Sequence, residues 1–189
     1  QTELVQIPSG DNGNVAIVKA RACFTDDRLF EGYGDAEPGN VNPGMKNNIS
    51  SEVVGVLKRM FGETSWGPRL EYILRYTILA LLDTPGTTLL DITRMLTDKK
   101  FRKTVVEQCG DTVVKQFWNV EFASWTDKFA NEAIAPVLNK VGAFTANPII
   151  RNIIGQPKST FNIRQIMDEG KILVVNLSKG LIGEDNAAL

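Results

Sequence analysis

The apolar residues of this chain change their period near Ser50, and that change limits the available folds more than any other feature. After it, Val53, Val54, Val56, Leu57, Met60 and Phe61 form one stripe, and Leu70, Ile73, Leu74, Thr77, Ile78 and Leu81 form a cleaner one. Spacings of three and four bring such positions onto one face only in a helix. Before Ser50 the pattern is that of strands. Residues 15–24 are rich in β-formers, and from Val18 onward Lys19 and Arg21 alternate with small or apolar residues. Thr25-Asp26-Asp27-Arg28 is turn material, and residues 29–33 can return as the second strand of a hairpin. Residues 34–50 carry enough Gly, Pro and Asn to break a regular element, so a linker or boundary is expected there.

The helical signals continue along the chain. Asp83-Thr84-Pro85-Gly86 stops the Leu70 helix, Thr87 is placed to cap a third with Leu89, Ile92 and Leu96, and Thr97 or Asp98 a fourth with Phe101 and Val105 inward. Asp111 opens a fifth with Val113, Val114, Phe117, Trp118 and Phe122 inward. Another runs from about Lys128 through Val141, where Pro136 implies a kink or a break into two pieces. Asn147-Pro148 pairs a side-chain cap with proline at the first helical position; Ile149, Ile150, Ile153 and Ile154 follow on one face, and Gly155 stops the helix. A short helix near residues 162–168 precedes Lys171-Ile-Leu-Val-Val-Asn-Leu177, a continuous β-branched run of the kind buried on both faces of a parallel sheet. The expected fold class is mainly α: a bundle of about seven or eight helices, with an N-terminal β-hairpin and one C-terminal strand. Three parts are expected: residues 1–50 as hairpin and linker, 51–170 as an all-helical domain, and 171–189 as a strand and loop.

Several chemistries are excluded. The 189 residues contain no histidine, which removes Ser-His-Asp and Cys-His nucleophiles and His-ligated metals. Cys23 and Cys109 have no second cysteine near them, so there is no zinc knuckle or CxxC pair, and they read as reduced residues of a cytoplasmic protein. The longest apolar stretch, residues 72–82, is short for a bilayer span and contains Arg75. The opening Gln-Thr-Glu argues against a signal peptide and for a fragment. Basic and acidic side chains nearly balance, 21 against 22, but unevenly: residues 1–50 hold four basic and seven acidic ones, leaving a mildly basic remainder.

Candidate binding residues follow from charge and position. Lys99, Lys100, Arg102 and Lys103 form the densest basic cluster, at a helix start where acids are usual, and could contact phosphates, although four cations on a solvated helix face are the more ordinary arrangement. Arg151, Lys158 and Arg164 are more scattered, weaker candidates for the same contact. Gly155-Gln-Pro-Lys158-Ser159-Thr160 is a poor phosphate loop, because Pro157 removes an N–H and a helix, not a strand, precedes it. The pairs Asp26/Asp27, Asp168/Glu169 and Glu184/Asp185 could bind a divalent ion, though turn acids ordinarily face water. The loop after the buried strand, with Ser178, Lys179, Gly180, Glu184 and Asp185, ranks highest among loops, since sites of α/β proteins lie at the carboxyl ends of parallel strands. Trp66, Trp118 and Trp125 fall beside apolar stripes and are read as core instead of as stacking platforms for bases.

Some longer stretches carry a resemblance. From Ser51 to Leu189, Trp66-Gly-Pro-Arg-Leu-Glu-Tyr-Ile-Leu-Arg75, Thr87-Thr-Leu-Leu-Asp91, Phe117-Trp118, Ala133-Ile-Ala-Pro-Val-Leu-Asn-Lys140, Arg151-Asn-Ile-Ile-Gly-Gln156 and Met167-Asp-Glu-Gly-Lys-Ile-Leu-Val-Val-Asn-Leu-Ser-Lys-Gly180 resemble, in order, the conjugative DNA-transfer coupling ATPases. These are HerA/FtsK-like motors (TraG/TraD type) related to type IV secretion. The resemblance implies a RecA-like ATPase sheet, to which the strand at residues 171–177 would belong, interrupted by an inserted helical domain. It also implies a homo-hexameric ring moving DNA with ATP and Mg, alongside conjugation or secretion machinery. The family's phosphate loop is expected upstream of the helices and its acidic metal-binding strand beyond Leu189. Neither motif is in these residues, so no nucleotide-binding or catalytic residue carries over and the fragment itself is expected to bind no cofactor. Val18-Lys-Ala-Arg21 and Phe30-Glu-Gly-Tyr-Gly-Asp-Ala-Glu-Pro-Gly-Asn-Val41 instead resemble the amino-terminal hairpin of single-strand annealing proteins of the recombination-mediator type. Two other functions are therefore kept open: a single-strand DNA annealing or repair module, and a helical interaction domain without a nucleic-acid role.

Overall fold

The computed structural model describes Val41, residues 43–157 and Asp168. The expected hairpin, the strand at residues 171–177 and the loop after it lie outside the described residues, as does the short helix near 162–168 except for Asp168, which is helical. Among the described residues there are seven α-helices and no strand.

Helix α1 spans Pro43–Phe61. It corrects the expected linker, since it begins well before Ser50 and runs through Ser50 and Ser51 without interruption. Proline is compatible with a first helical turn, where its missing N–H has no intrahelical partner to lose. Behind it, Met45, Ile49, Val53 and Leu57 repeat every fourth residue and are all buried. The Gly, Pro and Asn content of residues 34–50 masked the first two members of that row. A 3-10 turn, Glu63–Ser65, leads to α2, Pro68–Leu82. Lys46 of α1 meets Asp83 just beyond α2, and Arg75 Nη1 donates to Ser51 Oγ at 2.8 Å, so the two helices run antiparallel.

Among the described residues, helix α2 is central, packed against α1 and four of the helices that follow. Leu70, Ile73, Leu74, Thr77, Ile78 and Leu81 are buried as their spacing predicts, but so are Leu79, Ala80 and Leu82. Its last turns are thus enclosed on every side, by α1 and by the helices that follow. Burial at a helical core explains the apolar run that could be mistaken for part of a span; no helix of the described residues is long and apolar enough to cross a membrane. Thr77, wholly buried here, satisfies its hydroxyl on the Ile73 carbonyl at 2.8 Å.

Helix α3 occupies Asp91–Thr97, later than expected from a Thr87 cap. The Thr87 hydroxyl instead donates backward to the Leu81 and Thr84 carbonyls, at 2.8 and 2.9 Å, sealing the end of α2. Gly86, at φ 75°, makes the intervening turn. Helix α4, Lys99–Gln108, starts where expected: the Asp98 carboxylate accepts from the backbone N–H groups of Lys100 and Phe101. Asp111 caps α5, Thr112–Gln116, in the same way. After it the chain widens into a π-helical turn, Phe117–Glu121, and then a 3-10 turn, Phe122–Ser124. These two turns carry Phe117, Trp118 and Phe122 inward together, as expected, but Val113 points out and is 58% exposed. Val113 and its buried neighbour Val114 differ by about 100° around a helix, so one short helix cannot bury both against the same face.

Helix α6, Asp127–Ala146, contains Pro136 yet continues through it as one element. Pro136 and Glu132, whose carbonyl loses its usual donor, are both exposed, so water can replace the missing bond, while Ala133, Ile134, Val137 and Val141 are buried opposite. Asn147 caps α7, Pro148–Ile154, accepting from Ile149 and Ile150. Only Ile150 and Ile154 of its four isoleucines are buried; Ile153 is half-buried and Ile149 faces outward. Gly155 follows where the chain passes Leu90, and a Cβ there would lie 2.8 Å from the Arg151 carbonyl oxygen.

Candidate nucleic-acid interface

The basic cluster divides when α4 forms. Lys99, Lys100 and Lys103 are exposed, whereas Arg102 is turned inward with Val105 and Val106, three and four positions on. Its Nη1 donates to the Met95 and Leu96 carbonyls at 3.0 and 3.1 Å, at the end of α3, and its guanidinium lies 4.8 Å from the centre of the Phe122 ring. Arg102 therefore ties α3 and α4 to the aromatic turn. Burial lowers its pKa and the charge of Asp98 opposes this; an arginine stays cationic regardless. Lys103 approaches Glu107 at 3.9 Å, a pair so exposed that it leaves the lysine essentially free for other anions. Among the described residues, Lys99 and Lys100 have no carboxylate within ion-pair distance. Arg151 lies on α7 and donates to the Thr145 carbonyl at 3.3 Å. Lys158, Arg164 and the loop residues Ser178, Lys179, Gly180, Glu184 and Asp185 lie outside the described residues.

Beside α4 runs a groove of about 310 Å³ between the end of α3, the aromatic turn and the first turns of α6. Lys99 and Arg102 stand on its α4 side, Phe122 and Trp125 form an aromatic wall, and Asp127 and Asn131 line the α6 side. Trp66 and Trp118 are buried core residues, as expected, but Trp125 is only half-buried and is among the residues that line this groove. Its inner contacts are aromatic: Phe122 at 5.0 Å, tilted, and Phe129 at 5.0 Å, edge-on. A second hollow, about 370 Å³, lies between α1 and α2, but its polar groups largely satisfy one another: Glu71 accepts from Trp66 Nε1 and pairs with Arg75.

A polar lock that no local sequence signal reveals sits at the end of α2. Asp83 pairs with Lys46 of α1 through Oδ1, while Oδ2 accepts from the Gly110 N–H at 2.8 Å and the Cys109 thiol at 3.1 Å. Burial works to raise the Asp83 pKa, but the hydrogen bonds from Lys46, Gly110 and Cys109 outweigh it and hold the carboxyl below the usual range. Burial, reinforced by the Asp83 carboxylate, pushes the Cys109 thiol up to about 12. The thiol is therefore protonated near neutrality and acts as a donor, not a nucleophile. No group of three potential metal ligands occurs among the described residues.

Comparison with known proteins finds no matching family model, curated protein or solved structure.

Proposed function

We propose that this chain is part of an ATP-driven DNA translocase of the conjugation or type IV secretion kind, and that its helices form the accessory domain through which the motor touches DNA or a partner. The reading is supported by the ordered motifs between Ser51 and Leu189 and by the helical character of residues 43–157. The observation that carries the DNA contact is the exposed lysine row at the start of α4: Lys99 and Lys100 without ion-pair partners among the described residues, and Lys103 one turn further. ATP, Mg and ring assembly belong, in this reading, to the RecA-like core around which the helices are inserted, on the cytoplasmic side of the transfer machinery. A partner-binding role without nucleic acid has one observation in its favour, the outward-facing Val113 and Val120 beside the aromatic turn.

Fluorescence anisotropy with labelled DNA, across a salt series, decides between them. Phosphate contacts release counterions, so affinity should fall steeply with salt. Lys100→Glu combined with Lys103→Glu should weaken single-stranded and duplex DNA alike and reduce the logarithmic salt slope by about one to two. Both side chains are exposed, so the fold should survive the change. Affinity that ignores both salt and these substitutions would remove DNA from the reading and leave the protein-partner role.

A further inference from the structure

The groove beside α4 combines two features that the lysine row lacks. We infer that it is a subsite for one nucleotide of single-stranded DNA, with the base against Trp125 and the phosphate on Lys99 and Arg102; this rests on the DNA contact proposed above. Its volume, about 310 Å³, is at the lower end of small-molecule sites and suits a single nucleotide unit. Arg102 is held rigidly, because both bonds from Nη1 go to carbonyls at the end of α3, and its remaining N–H donors have no partner among the described residues. A fixed guanidinium with no carboxylate within ion-pair distance among the described residues is suited to an anion with oxygens to present. Lys99 stands on the same side of the groove, exposed and without an ion-pair partner among the described residues. Opposite, Asp127 and Asn131 offer an acceptor and an amide to the edge of a base, and the charge of Asp127 directs the phosphate to the α4 side.

The aromatic wall makes single strands the better fit. Trp125, half-buried and lining the groove, is the aromatic residue placed to take an unstacked base, and its contacts with Phe122 and Phe129 at 5.0 Å hold the ring in place. Base stacking on an aromatic side chain tolerates any sequence and requires a base free of its duplex. A paired base cannot enter a recess of this size without leaving its partner.

The test compares a short labelled oligodeoxythymidine with a duplex of equal length, on the full 189-residue chain, by anisotropy and by tryptophan emission. Single strands should bind more tightly and quench emission. Trp125→Leu should lower single-strand affinity by about tenfold and abolish the quenching while leaving duplex affinity within about twofold. Asn131→Glu, at an exposed α6 position that cannot unfold the core, should weaken single-strand binding several-fold by placing a carboxylate in the groove. Unchanged single-strand affinity in both variants, or equal losses for single strand and duplex, would overturn the subsite while leaving the lysine contact intact. If neither DNA binds to the unaltered chain, the underlying DNA reading fails along with the subsite.

Discussion

At the scale of single residues, chemistry follows surroundings more than residue type. Cys109 is a reactive residue by type, yet its burial and the neighbouring Asp83 keep its proton on. Arg102 lies within a run of cations but is turned inward, to the wall of the groove, by the helix that contains it; the buried Val105 and Val106, on the same side of α4, were the signal in the sequence. Asp83 joins three segments distant in sequence, and the direction of its shift sets a pH dependence. Its pKa is depressed in the folded state, so its contribution is present above the ordinary carboxyl pKa of about 4 and is lost as the pH falls through the lower folded value. Asp83→Asn should therefore cost about 2 kcal/mol at neutral pH, because Lys46 loses its counter-charge, and should flatten the loss of stability below about pH 4. Urea denaturation over a pH series reads both effects.

At the scale of elements, most starts defined by a local side-chain bond were legible, the Thr126 cap of α6 being missed, and starts defined by packing were not. Asp98, Asp111 and Asn147 each accept from N–H groups two and three residues ahead, a contact written entirely within the adjacent sequence. Thr87 has the same residue type as a cap but turns its hydroxyl back to Leu81, because the Pro85-Gly86 turn brings the end of α2 within reach. The start of α1 was hidden behind Pro43 and Gly44, where the continuing row of Met45 and Ile49 was the better guide. Asp111→Ala should lower stability by about 1 kcal/mol, measured by thermal melting, since two α5 N–H groups lose their acceptor. The aromatic turn that follows α5 should stay in place, because its side chains are anchored on α2, Phe117 stacking on Tyr76 and Trp118 Nε1 donating to the Tyr76 carbonyl.

At the scale of the molecule, α2 is the element against which most of the described helices pack. Ile78 is fully buried among helices that close around it, so Ile78→Ala should cost about 2–5 kcal/mol by chemical denaturation, whereas Ile149→Ala, at a partly exposed site, should cost much less. The sequence by itself determined that the body is helical, where most helices lie, and most of the residues that turn inward on them, because a helix's period and its caps involve residues only a few positions apart. It also located the lysines of α4. Tertiary structure alone decided which of those cations remain outside, that Trp125 borders an open groove, and that Lys46, Asp83 and Cys109 meet. These depend on distances between residues separated by tens of positions, which are set by how whole helices pack around α2 and not by any local pattern.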